Sequence, residues 1–247
     1  VQVVFSQAVY VTGTPTITLD TGGSGDVVNY STGSGSQYLD FVYTVGTGDN
    51  SSDLDYVSTS SLALAGSATI KDAAGNNATL TLAAPGAANS LGDSKNLVID
   101  TTVPTITGTT VATDNSTISV TFSEAVYNTD GGNGALEAAD FAVTIADNGG
   151  AAGLSSATPS GITSSGNVYT LTLATTGTAT GAEVYTVVPV STSIYDAVGN
   201  AASTSQSNNT VTLNDVTAPT MTITAAEGID GFTSNDATLA LTFTSNE

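Results

Sequence analysis

Two loops of the chain carry the kind of oxygen ligands that a hard cation takes. KDAAGN at 71–76 and YDAVGN at 195–200 each set an aspartate and an asparagine four residues apart around a glycine. Asp and Asn hydrogen-bond their own backbone and Gly takes positive φ freely, so the local reading is a tight turn. The carboxylate and carboxamide oxygens of Asp72, Asn76, Asp196 and Asn200 are also what calcium binds. Further acids stand at element edges: Asp49, Asp53 and Asp55 in GTGDNSSDLD, Asp100 before TTVP, Glu124 in FSEAVY and Asp215 before VTAP.

Other chemistries are excluded by what the chain lacks. It has no His, Cys, Arg or Trp, and Lys71 and Lys95 are its two cations against 22 acids. Ser-His-Asp and Cys-His catalysis, thiolate or imidazole zinc and arginine phosphate clamps cannot be assembled. Paired carboxylates alone can hydrolyse glycosides, but nothing marks two of the acids as a pair in a cleft. The chain is therefore not expected to be an enzyme. A net charge of −20 repels nucleic acid and anionic membranes and makes the fold repel itself, a strain that divalent cations relieve. Acidic, cysteine-free and rich in Thr, Ser, Gly and Asn, the composition points to a secreted protein at a bacterial surface, with no membrane insertion in this segment. The abrupt start at VQVVFS and stop at LTFTSNE read as an excerpt of something longer.

The elements that must position these acids come in repeats. VVFSQAVY at 3–10 matches VTFSEAVY at 120–127, KDAAGN matches YDAVGN, and VIDTTVPTIT at 98–107 matches LNDVTAPTMT at 213–222. LTFTSNE at 241–247 opens the first block again. The blocks recur in one order at offsets of 117, 124 and 115 residues, which marks a tandem array. Val103 and Ala218 precede prolines and are pushed to extended conformations, as linkers would be. The boundaries that follow are a module at 1–100 lacking its opening strand, a module at 101–215, and the stub of a third at 216–247.

Within modules the apolar period is two. Ile118, Val120 and Phe122 alternate with Thr117, Ser119 and Thr121; Tyr169, Leu171 and Leu173 alternate with threonines; Leu239, Leu241 and Phe243 repeat the pattern. Gly, Asn and Asp clusters punctuate these runs, and only ALEAADF at 135–141 suggests a helical turn. About seven short strands in ~110 residues describe an all-β fold, a β-sandwich with Greek-key connections. Phe5, Phe41, Phe122, Phe141 and Phe243 are expected in its cores. Tyr56 and Tyr185 are placed to start a late strand, where a tyrosine can tie a corner to the backbone or pack in the core.

FSEAVY, the strand leading into YDAVGN and the DTTVPT linker resemble the bacterial immunoglobulin-like tandem repeats of large surface adhesins and biofilm-associated proteins. The likeness runs over essentially all of the chain. It implies a long secreted stalk whose partners are neighbouring modules of the same chain or other copies of the parent protein, with calcium at the module joints. Gln7 departs from the pattern, standing where FSEAVY has its acid.

In an immunoglobulin-like sandwich the loop after the second strand, the loop before the last strand and the entering chain share one end. That topology brings Asp100, Glu124, Asp196 and Asn200 together at the head of the second module. Asp49, Asp53 and Asp55 are expected nearby. Asp215 with Glu247 would be the next joint's set, and Asp72 and Asn76 with Gln7 the first module's weaker one. Carboxylates ~4 Å apart repel by about 4 kcal/mol near a protein surface, and an all-oxygen set selects calcium.

The function expected is a structural extender of an adhesin or extracellular filament, stiffened by calcium. The alternatives are an adhesive module for a sugar or protein, and a subunit that self-assembles by strand exchange. GGSGDVVNY at 22–30 and GGNGALEAA at 131–139 approach a calcium β-roll repeat but are read as hairpin turns, and Lys71 as a solvated lysine and not an isopeptide donor.

Overall fold

The computed structural model of the chain describes residues 1–225 and 240–245. It is almost entirely β and divides into two compact units, Val1–Thr102 and Val103–Glu247.

In the first unit the strands are β1 (Gln2–Thr12), β2 (Thr16–Leu19), β3 (Asp26–Thr32), β4 (Ser36–Phe41), β5 (Leu62–Ala63) and β6 (Thr69–Lys71), followed by a single-turn helix α1 (Leu91–Ser94). They pair in the order β5-β2-β3-β4-β1-β6, each pair antiparallel. Two long strands change partners along their length. β1 pairs with β4 through Gln2–Val4, shifts register before Val9, and pairs with β6 through Tyr10–Thr12. β3 gives Asp26–Asn29 to β2 and its C-terminal half to β4. These exchanges fold the strands over one core built on Ile17, Leu19, Leu39, Phe41 and Ile70.

The second unit opens with β7 (Ile106–Val111), β8 (Thr117–Phe122), β9 (Phe141–Ala146), β10 (Gly153–Leu154), β11 (Gly161–Ser165) and β12 (Val168–Thr172). It continues with β13 (Thr175–Thr176), β14 (Val184–Pro189) and β15 (Thr210–Thr212). One sheet has the order β11-β12-β8-β7 and the other β15-β14-β9, with a two-stranded β10-β13 piece besides. The alternation read from STISVTF holds: Ile118, Val120 and Phe122 are at most 2% exposed. They share one core with Phe141, Val143, Tyr185 and Val187 of the opposite sheet, which makes a sandwich. The ring of Tyr169 stands edge-on to Phe122 at 5.8 Å, within the favoured range for aromatic pairs. The one-turn helix expected in ALEAADF is a 3-10 turn at Ala138–Asp140.

Beyond β15, strands β16 (Met221–Ala225) and β17 (Leu241–Ser245) form an antiparallel hairpin. Here the expectation for Phe243 fails, since it is 59% exposed, with Leu241, Met221 and Ile223 similarly open. The alternation is present, but among the described residues β16 and β17 form a two-stranded sheet by themselves, with no second layer over the apolar side. Phe5 also departs from expectation in part, being half-buried where Phe41, Phe122 and Phe141 are enclosed. Leu239 lies outside the described residues.

The tyrosines act differently from one another. Tyr56 is not in a strand; its hydroxyl donates to the Ala83 carbonyl at 2.8 Å. Tyr185 sits inside β14, fully enclosed, and shares a 2.6 Å hydrogen bond with the Thr175 hydroxyl. In the second unit Tyr169 donates to the Val126 carbonyl at 3.2 Å and Tyr195 to the Thr192 carbonyl at 2.8 Å.

Candidate metal centre

YDAVGN folds as an aspartate-capped turn. One carboxylate oxygen of Asp196 accepts the N–H groups of Val198, Gly199 and Asn200 at 2.8–2.9 Å. The other accepts the Asn200 side-chain amide at 2.7 Å. Gly199 has φ +102°, which closes the turn and is the reason for a glycine there. The loop is stitched to the segment after β8 by reciprocal 2.8 Å backbone bonds between Tyr127 and Tyr195. That stitch holds Glu124, three residues ahead of Tyr127, beside Asp196.

Asp100, Glu124 and Asp196 each offer a carboxylate oxygen, and the three oxygens lie within 4.8 Å of one another. Asp196 is fully buried and the other two partly so. At that spacing each charged pair repels by roughly 3 to 4 kcal/mol at an effective dielectric of about 20. Oxygen donors from separated segments, one of them already preorganised by amide bonds, suit a hard divalent cation. Asp100 also caps its own turn, one oxygen accepting the Thr102 N–H at 2.9 Å. Among the described residues this is the one trio of acids so gathered.

The first unit's counterpart has the same turn and different company. Asp72 accepts the N–H groups of Ala74 and Asn76 and the Asn76 side-chain amide, all at 2.9 Å. Asn76, through its side chain and its N–H, holds the Asp72 carboxyl below the usual carboxylate range. Gln7 occupies the place of Glu124 and donates its amide to Asp72 at 3.4 Å. Gln7, Asp72 and Asn76 are thus together, with one charge instead of three.

Asp49, Asp53 and Asp55 are not part of the trio. Their oxygens are spent on the first unit's own loops. Asp55 accepts the N–H groups of Tyr56 at 2.8 Å, Gly86 at 2.9 Å and Leu91 at 3.3 Å, tying down the extra stretch at 81–96. Burial works to raise the Asp55 carboxyl, but the N–H groups of Gly86 and Tyr56 overcome it and hold it low. Asp53 accepts from Leu97, and Asp49 from the Tyr43 hydroxyl and the Gly46 N–H. Asp215 is exposed and caps a turn by accepting the Thr217 N–H at 2.8 Å, as Asp100 does with Thr102. Glu247, its suggested companion, lies outside the described residues.

Sequence reasoning missed an acid as enclosed as Asp196. Glu183 is 0% exposed. Its oxygens accept the N–H groups of Ala152 and Thr180 at 3.0 Å, with the Thr180 hydroxyl at 3.4 Å. Burial alone would raise this carboxyl; the N–H groups of Ala152 and Thr180 reverse that and bring it down to about 2. The glycine at 150 is the available sequence signal, because a Cβ there would collide with the Glu183 carboxylate. GGSGDVVNY is a turn, as read: Gly25 donates to the Gly22 carbonyl at 3.0 Å and β3 begins at Asp26.

No protein-family model matches the chain, and no curated protein or solved structure matches it significantly.

Proposed function

We propose that this chain is a structural extender segment of a large bacterial surface adhesin or extracellular filament, in which calcium stiffens the approach to each module. The observation that carries the reading is the meeting of Asp100, Glu124 and Asp196, acids separated by 24 and 72 residues of sequence. A repulsive trio is a cost to the apo fold, and a cation turns it into a clamp. Asp100 precedes the second unit's first residue by three positions, so a cation shared with Glu124 and Asp196 fixes the path of the entering chain. Supporting this is the tandem order of the sequence blocks, in which each DxT turn stands directly before a Pro-containing strand entry. The setting is extracellular, where calcium is abundant enough for sites that bind at about 10⁻⁴ to 10⁻³ M.

The test is a calcium titration of the whole chain against chelator. At 10 mM calcium such a site adds about 1.4 to 2.7 kcal/mol of stability, read as a raised melting temperature together with a longer, narrower distribution of solution lengths by X-ray scattering. Glu124→Gln is expected to remove most of both effects. Unchanged melting and length on addition of chelator would dispose of the proposal.

A further inference from the structure

Asparagine followed by glycine occurs twice in the chain, at 133–134 and at 148–149. Glycine has no side chain to shield its backbone nitrogen and takes conformations closed to other residues, so in this pair the nitrogen can reach the asparagine's own amide carbon. Both pairs are exposed, and among the described residues neither Gly134 nor Gly149 donates its N–H to an acceptor. Their surroundings differ. Asn148 is tied to other elements: its side-chain amide donates to the Ala182 carbonyl at 3.0 Å, 34 residues on. Gly150 closes that turn by donating to the Asp147 carbonyl at 2.7 Å, and it is itself pressed against the Glu183 carboxylate. The 147–150 turn is thus fixed to the amide cage of Glu183.

Among the described residues, the ties of Asn133 stay within its own loop. Its side-chain amide donates to the Gly131 carbonyl at 3.0 Å, and its carbonyl accepts the Thr129 N–H at 3.2 Å and the Thr129 hydroxyl. Such bonds move with the loop when it opens locally, so they do not hold the side chain away from Gly134. The glycine itself is obligatory: Gly134 has φ +81°, and a Cβ there would collide with the Asn128 side-chain oxygen. The turn therefore demands the very residue that leaves Asn133 open to attack. On its other side the loop is seated on YDAVGN, with Gly132 against Ala197 and the Asp130 carboxylate against Gly199.

We propose that Asn133 is a site of spontaneous deamidation and isomerisation, and that the fold protects Asn148 from the same reaction. The Gly134 nitrogen bonds to the Asn133 side-chain carbonyl carbon and gives up its proton, the amide nitrogen leaves as ammonia, and a cyclic succinimide remains. Water then opens the ring at either carbonyl, giving aspartate or isoaspartate; no oxidant, reductant or second protein takes part. Either product adds a negative charge. Isoaspartate also inserts a methylene into the main chain, which displaces the carbonyl that Thr129 holds and unseats Gly132 from Ala197. The Asp196 loop feels that change whether or not a cation is bound there.

The experiment incubates the whole chain at mildly alkaline pH in heavy-oxygen water and maps it by peptide mass spectrometry. Label is expected at residue 133 in both aspartyl and isoaspartyl forms, appearing roughly tenfold faster than at residue 148. In urea the two rates are expected to converge, because both dipeptides are then free. In the aged chain the amide signals of Thr129 and Ala197–Asn200 are expected to shift while those of Thr117–Phe122 stay. Asn133→Gln, whose longer side chain closes the ring poorly, is expected to abolish the label at 133 and those shifts with the rest of the spectrum retained. Freshly prepared Asn133→Asp carries the charge on an ordinary main chain and is expected to leave the Ala197–Asn200 signals near their parent positions. Equal rates at 133 and 148 in the folded chain, a ratio that persists in urea, or an aspartyl product alone overturn the inference. So do Ala197–Asn200 signals that stay unmoved in the aged chain, or that move as far in Asn133→Asp.

Discussion

Set side by side, the Asp72 and Asp196 loops show how one turn can be kept while its surroundings are changed. Both aspartates accept the N–H of the residue two positions on, both accept the N–H and the side-chain amide of an asparagine four positions on, and both loops close on a glycine with φ near +90° to +100°. Around Asp196 stand Glu124 and Asp100, and beside it the core strand β8 is flanked on both edges. Around Asp72 stands Gln7, and among the described residues Gln2–Val4 of β1 pair with a strand on one side only. The turn is a scaffold that folds by itself; whether it becomes a ligand depends on which residue the neighbouring strand delivers.

The difference in core closure can be tested first, because its effect is largest. Phe122→Ala is expected to destabilise the second unit by about 3 to 5 kcal/mol, while Phe5→Ala in the half-buried position costs the first unit roughly 1 to 2 kcal/mol. Equal losses in urea unfolding would mean that the one-sided pairing of β1 does not weaken its core.

Glu183 has no counterpart of the same burial in the first unit, where Asp55 does the nearest equivalent work at 8% exposure. Glu183→Gln is expected to cost the second unit about 1 to 3 kcal/mol at neutral pH, since amide donors lose a charged acceptor. The sign of the pH dependence follows from a folded value of about 2 below an ordinary 4.5. The stabilisation is fully present above pH 4.5 and drains away as the pH falls toward 2. Hydrogen exchange of the second unit should therefore show parent and variant converging at the acid end; a gap that stays constant down to pH 2 would contradict the assignment.

Substituting the loop aspartates compares the two turns directly. Asp196→Ala removes an enclosed acceptor of four donors and is expected to cost about 1 to 2 kcal/mol without calcium, less than the lost hydrogen bonds suggest because it also relieves the trio's repulsion. Asp72→Ala, on the more open loop, is expected to cost less. The smallest change is Gln7→Glu, which places an acid where the second unit has Glu124. Without calcium it should lower the first unit's stability by under about 1 kcal/mol, and with calcium it should create a second titratable binding event visible in calorimetry. An unaltered isotherm would indicate that an entering carboxylate like Asp100 is also required.

Much of this was legible before any coordinates. Alternation in STISVTF and VYTLTL identifies buried Ile118, Val120, Tyr169 and Leu171, because a half-buried strand must sort its residues by side. The three repeated blocks, matched in order, identify the acids that meet. Asp49, Asp53 and Asp55 stand apart from the trio for a physical reason: acidity says that oxygens are present and not who claims them, and backbone N–H groups of residues 46, 86, 91 and 97 donate to these. Glu183 escaped notice because its donors are main-chain amides, which leave no mark on residue types. Phe243 was misplaced because alternation identifies an apolar side without revealing whether a second layer exists to meet it.

The amide cage around Glu183 has a wider implication. The enclosed acids Asp55, Asp196 and Glu183 all find their counter-charge in the peptide backbone, in a chain that owns two lysines and no arginine. Those bonds are short-ranged and shielded, so dissolved electrolyte scarcely reaches them, whereas the mutual repulsion of the surface is long-ranged and is damped within about 8 Å at physiological ionic strength. Brine should thus weaken what opposes this fold and spare what upholds it, leaving the molecule hardiest where proteins fastened by surface ion pairs begin to loosen.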